Sequence, residues 1–165
     1  MLWRSIDIFR TYPPGPGFVV EAIEQPLVRL HCQVRALRVN DNPFVHATSL
    51  AIEIVLHLSW PAQLELDITH LASELKAALC MIPIRVCFLM DLTSFQLMIG
   101  AIAAEAGSST RTWFLSKLKR AVLVLRSRGW DEPLELFDKT FVPNKDIIRR
   151  LRSLWKELGG GDTSV

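Results

Sequence analysis

Apolar residues recur along most of the chain at the helical period, with breaks where turn-forming residues cluster. Glu21 to Val39 places Ile23, Leu27, Leu30, Val34 and Leu37 on one face and predicts a helix. Pro26 is assigned to its first turn, where a missing N–H costs little. Asn40-Asp41-Asn42-Pro43 stops that helix. Val45 to Leu58 fits a helix or a buried strand, because Ile52-Glu53-Ile54-Val55-Leu56 is rich in β-branched residues. Trp60-Pro61 ends it. Asp67 is placed as the N-cap of a helix whose buried face is Ile68, Leu71, Leu75, Ala78 and Leu79, and which stops by Pro83. Thr93 or Ser94 is expected to cap the next helix, which runs to about Ala106 and closes at Gly107. Ser108-Ser109-Thr110 supplies a new N-cap for a helix from about Arg111 to Arg128, with Gly129 following as its C′ residue. Glu132 to Phe137 is a short helix candidate, and Asn144 caps a last helix reaching Leu158. The pattern predicts an all-α array of about six to seven antiparallel helices in one domain.

The breakers also divide the chain. Pro13-Pro14-Gly15-Pro16-Gly17 sets off an N-terminal segment and linker, residues 1–17, from a helical domain over 18–158. Gly159-Gly160-Gly161 opens a loose tail over 159–165. Half the 165 residues are apolar and 22% are charged, a globular composition. The first residues lack the basic start and apolar run of a signal peptide. Ala77 to Ala104 is low in charge, but Arg85 and Asp91 interrupt it, and Leu92 to Ala104 is too short to span a bilayer. It reads as a buried core helix, so no membrane span is expected.

Candidate chemistry is sparse. Three cysteines, Cys32, Cys80 and Cys87, are too few and too scattered for a secreted disulfide framework, and they read as buried free thiols. Cys80 and Cys87 have no accompanying Cys-x2-Cys, so zinc is not indicated. His31, His46, His57 and His70 lie on separate segments, and no Gly-x-Ser-x-Gly elbow is present. Ser108, Ser109 and Thr110 fit capping better than nucleophilic attack. The terminal glycines follow a helix, whereas a phosphate loop must precede one. No catalytic, cofactor-binding or metal-ligating residue is nominated, no cofactor is expected, and the chain is read as not an enzyme.

The surface signal is basic. A net charge of +2 argues little for nucleic acid. Yet Arg111, Lys117, Lys119, Arg120, Arg126 and Arg128 occur with no acid between Glu105 and Asp131. The last helix sets Lys145, Arg149, Arg150, Arg152 and Lys156 around a stripe of Ile147, Ile148, Leu151, Leu154, Trp155 and Leu158. A core stripe with a solvated basic back is the ordinary explanation. Acidic partners, nucleic acid or an anionic membrane surface are the others.

From Leu71 onward the chain resembles the C-terminal part of the regulatory (middle homology) domain of fungal zinc-cluster transcription factors. The resemblance rests on Leu71-x3-Leu75-x3-Leu79, on Phe95 to Ala104 ending in small residues, on Arg111-Thr112-Trp113-Phe114 followed by Leu118, and on Gly129-Trp130 and Leu154-Trp155. Weaker similarity reaches back to Leu27–Pro43. The six-cysteine cluster that binds DNA in that family has no counterpart among three cysteines. The resemblance therefore implies a regulator fragment or cluster-less relative. It would act as a protein-interaction module with a protein partner or as a homodimer, and would reach DNA only through a zinc-cluster domain supplied elsewhere. It further implies a nuclear location, otherwise cytoplasmic, and control of a metabolic or secondary-metabolite gene set. The alternative is a helical protein or enzyme that takes a small ligand between its helices, along Ala77–Ala104.

Overall fold

A computed structural model of the chain describes residues 20–61, 67–82, 87–127 and 144–158. Among these residues every regular element is a helix and no strand occurs. The helices are α1 (Val20–Leu37), α2 (Pro43–Ser59), α3 (Ile68–Met81), α4 (Cys87–Ala103), α5 (Ser109–Ser127) and α6 (Lys145–Glu157). The chain divides into two compact units, Met1–Gln33 and Val34–Val165, with the division inside α1. The Pro/Gly cluster at 13–17, the Glu132–Phe137 candidate, Gly129 and the terminal glycines lie outside the described residues.

The helix starts follow the local chemistry. Asn42 caps α2 by accepting the Phe44 N–H at 2.9 Å, and Pro43 fills the first helical position, which has no N–H to satisfy. Asp67 caps α3, accepting from the backbone N–H groups of Thr69 and His70. The Ser108 hydroxyl accepts the Arg111 N–H at 3.1 Å and so caps α5. Asn144 caps α6 through the Asp146 N–H at 2.9 Å.

One open reading is decided and three are corrected. Residues 45–58 are helical throughout, and their burial explains the β-branched content. Leu50, Ala51, Ile54, Val55 and Leu56 are all in the interior, so α2 needs bulk on more than one face. Thr93 and Ser94 are not caps but buried residues within α4, which begins earlier, at Cys87. Pro26 lies inside α1 rather than in its first turn, so its missing N–H removes one interior hydrogen bond. The α4 helix also stops at Ala103, short of Ala106. The link to α5 turns at Gly107, whose φ of +78° is a conformation that favours glycine.

In the second unit α4 is the centre. It packs against α2, α3, α5 and α6. From Thr93 to Ala104 every residue but Phe95 is buried, whichever way its side chain leaves the helix. Three of the surrounding helices give one stripe each: Leu71, Leu75 and Leu79 from α3, Phe114 and Leu118 from α5, and Ile147, Leu151 and Leu154 from α6. Gly100 and Phe114 approach closely. The Phe114 ring is fully buried and occupies the space a Cβ on Gly100 would take. Trp113 meets that ring edge-on, with centroids 5.1 Å apart at 84°.

The contact predicts the effect of one added methyl. Gly100→Ala should destabilise the fold by about 1–3 kcal/mol through overpacking, despite alanine's better helix propensity. Combining it with Phe114→Leu should cost less than the sum of the two single changes, because the smaller side chain frees the methyl's space. Urea unfolding of the four proteins measures the coupling; strict additivity would show that Gly100 and Phe114 do not constrain each other.

Candidate functional site

Two polar features of the second unit invite functional scrutiny. The first begins with an acid in an apolar helix. Glu53 lies among Ile52, Ile54, Val55 and Leu56, and its side chain is 0% exposed. A carboxylate there requires a cation. Arg38, just beyond the end of α1, donates from Nη1 to Glu53 Oε2 at 3.1 Å. Arg35 stands 3.7 Å from the other carboxylate oxygen. Arg38 also pairs through Nη2 with Glu74 on α3, and His70 lies 3.6 Å from Glu74. Arg38 therefore bridges α2 and α3 from the connection that precedes them. Its own side chain is only 22% exposed, so this pairing is shielded from solvent.

The second feature is a cleft of about 280 Å³ where the starts of α3 and α5 meet the end of α4. Asp67, Thr69, His70, Ser73, Ala104, Glu105, Ser108 and Thr110 line it. Most of its polar groups are committed to holding helix ends. Asp67 Oδ1 accepts from the Thr69 hydroxyl at 2.6 Å, the Thr69 N–H at 2.9 Å and the His70 N–H at 3.2 Å. The Thr69 hydroxyl bond, followed by the two backbone bonds, holds the Asp67 carboxyl below the ordinary aspartate range. The Ser73 hydroxyl donates to the Thr69 carbonyl, and Ser108 caps α5. Small-molecule sites are mostly apolar and run from about 300 Å³ upward. This cleft is slightly smaller and polar. Among the described residues of the low-charge stretch Ala77–Ala104, Ala104 lines the cleft, and Leu97 to Ala103 are core.

The histidines are spread out. His31, His46 and His57 are half-buried and His70 is exposed. The Nδ1 of His57 is buried with no hydrogen-bond partner. Among the described residues no group of three or more His, Cys, Asp or Glu side chains is placed to hold a metal ion. The expectation of buried thiols is overturned for two cysteines: Cys32 and Cys80 are exposed. Cys80 follows Leu79 on α3 and points away from the Leu71–Leu75–Leu79 face. Among the described residues no helix is long and apolar enough to cross a membrane.

Sequence reasoning passed over the Arg38–Glu53–Glu74 cluster. The available signal was the lone acid within Ile52-Glu53-Ile54-Val55. It also treated Arg111 as one member of a basic run. In the structure Arg111 donates to the Ala101 carbonyl at 2.7 Å, in the last turn of α4, and to Glu157 on α6 at 2.6 Å. It satisfies an end of α4 and ties the start of α5 to the end of α6.

Comparison with protein-family models, with curated proteins and with solved structures finds no match for this chain.

The buried cluster and the cap each predict a stability effect. Arg38→Met removes the 3.1 Å partner of buried Glu53 and should cost about 1–3 kcal/mol, whereas Arg38→Met with Glu53→Leu should cost less because the carboxylate that loses this bond is gone as well. Chemical denaturation of both variants decides it; an equal or larger loss in the double variant would contradict this account. For Asp67 the folded-state carboxyl titrates below its unfolded value. Its contribution is therefore complete above the ordinary aspartate range and is lost as pH falls through the lowered folded value. Thermal melts carried from neutral pH into acid should show wild type losing more stability than Asp67→Asn, which keeps a cap acceptor but no charge.

Proposed function

We propose that this chain is a transcriptional regulatory module related to the middle homology domain of fungal zinc-cluster regulators. In this reading it works by contacting other proteins, while a zinc-cluster domain supplied elsewhere contacts DNA. It performs no chemistry of its own and acts in the nucleus on a metabolic or secondary-metabolite gene set. The observation that carries the reading is the shared packing role of the residues that bear the resemblance. Leu71, Leu75 and Leu79 form the buried face of α3. Gly100 admits the Phe114 ring, Trp113 braces that ring, and Arg111 closes the end of α4. These residues from three stretches of chain form one mutually dependent unit. The all-helical architecture and the polar, capped character of the cleft support a binding role over a catalytic one.

Tethering tests the proposal. The chain, fused to an unrelated DNA-binding domain, should change transcription from a reporter carrying that domain's site severalfold. The Gly100→Ala fusion, with its disturbed packing, should do so less. The chain alone should shift no defined DNA duplex in a salt-resistant way, since non-specific phosphate contacts weaken steeply with salt. A folded fusion that leaves the reporter unchanged, or a salt-resistant, sequence-specific shift by the chain alone, would reject the reading.

A further inference from the structure

The cations of α6 are ordered in a way that the sequence alone does not reveal. Ile147, Leu151 and Leu154 are buried in the core, which fixes the rotation of the helix. Opposite them, Lys145, Arg149, Arg152 and Lys156 are all exposed. Their spacing of four, three and four residues keeps them in one straight row down the helix. At 1.5 Å per residue the row is about 16 Å long. The two acids of α6 are already engaged: Asp146 with Arg149 at 2.8 Å, and Glu157 with Arg111 of α5 at 2.6 Å. Among the described residues Lys145, Arg152 and Lys156 have no carboxylate partner.

From this row we infer a docking surface for an acidic α-helix of a partner protein, with carboxylates at the same four-three-four spacing. The inference rests on the protein-interaction reading above and names the partner's chemistry. Three observations select that occupant. First, the apolar face of α6 is consumed by the core, so the helix cannot lie in a membrane interface, which requires that face. Second, a partner helix carries side chains at the same longitudinal period, so its carboxylates can pair with Lys145, Arg152 and Lys156 and meet Arg149 in competition with Asp146. Third, the row is bordered on one side by Asp146 and Glu157, whose side chains are 61% and 45% exposed, with exposed Arg150 beyond them. A broad anionic surface, such as a DNA duplex or a charged bilayer, would meet these acids along with the cations. A single acidic stripe meets the cations alone.

Fluorescence anisotropy with the full chain provides the test. The probe is a labelled alanine-based helical peptide with glutamates at four-three-four spacing; a scrambled peptide of equal composition is the reference. The patterned peptide should bind more tightly than the scrambled one, and added salt should weaken the binding. Arg152→Glu with Lys156→Glu should weaken it roughly tenfold or more, as reversal of paired charges in an interface does. Both side chains face solvent, so circular dichroism and the melting temperature should not change. Lys119→Glu with Arg120→Glu, reversing exposed cations on α5, should leave binding unchanged. A peptide with lysines in place of the two glutamates that face Arg152 and Lys156 should bind the Arg152→Glu/Lys156→Glu protein more tightly than the wild type. Equal binding of patterned and scrambled peptides would overturn the inference. So would tighter binding of a DNA duplex or of phosphatidylserine vesicles at the same salt. A silent reporter with intact peptide binding would remove only the transcriptional reading; an active reporter with no pattern preference would remove only the α6 surface.

Discussion

The second unit depends on burying one helix from all sides. Because α4 contacts α2, α3, α5 and α6, each of those helices is positioned by how closely it can approach α4. The approach of α5 is close: the Phe114 ring takes the place of a side chain on Gly100. Protein interiors are packed too densely to absorb an added atom at such a contact without movement elsewhere. The small residues Ala101, Ala103 and Ala104 that follow Gly100 are buried as well. Arg111, one turn ahead of Phe114, then bonds the Ala101 carbonyl and secures that end of the helix.

Polar groups inside the unit are tied to this packing. Burial of α4 on every side brings Thr93, Ser94 and Gln96 out of water along with its apolar residues. Gln96 meets the cost by donating to the Thr48 hydroxyl at 2.9 Å, and Thr48 in turn donates to the Phe44 carbonyl at 2.8 Å. Glu53 on the same α2 helix is matched by Arg38. Such matches are directional where apolar contacts are not. A slide or rotation of α2 would strand Glu53 and Gln96 together, so these bonds fix the placement of α2 beyond what its apolar surface requires.

The division of labour between core and surface bears on function. The polar cleft at the starts of α3 and α5 is occupied largely by its own capping bonds, and the histidines stand apart. What the unit presents outward is charge ordered by a rigid interior, as on α6, where the buried stripe sets the direction of the cation row.

The sequence by itself determined the helices and many of their ends. Asp67, Ser108 and Asn144 act on amides two or three residues away, and the stripes of α3 and α6 are periodic along the chain. These are local effects, so they were legible. The tertiary structure decided what depends on neighbours distant in the chain. Residues 45–58 are helical because α2 is buried on more than one face, which local propensity cannot tell from a strand. Thr93 and Ser94 are good caps in isolation, yet they lie inside α4 because the helix continues back through Cys87. Cys80 is exposed because the leucine face of α3 turns it outward, against the usual preference of a thiol. The pairing of Arg38 with Glu53 and Glu74, and the fit of Phe114 on Gly100, join residues far apart in the chain. Only the packed fold brings them within bonding distance.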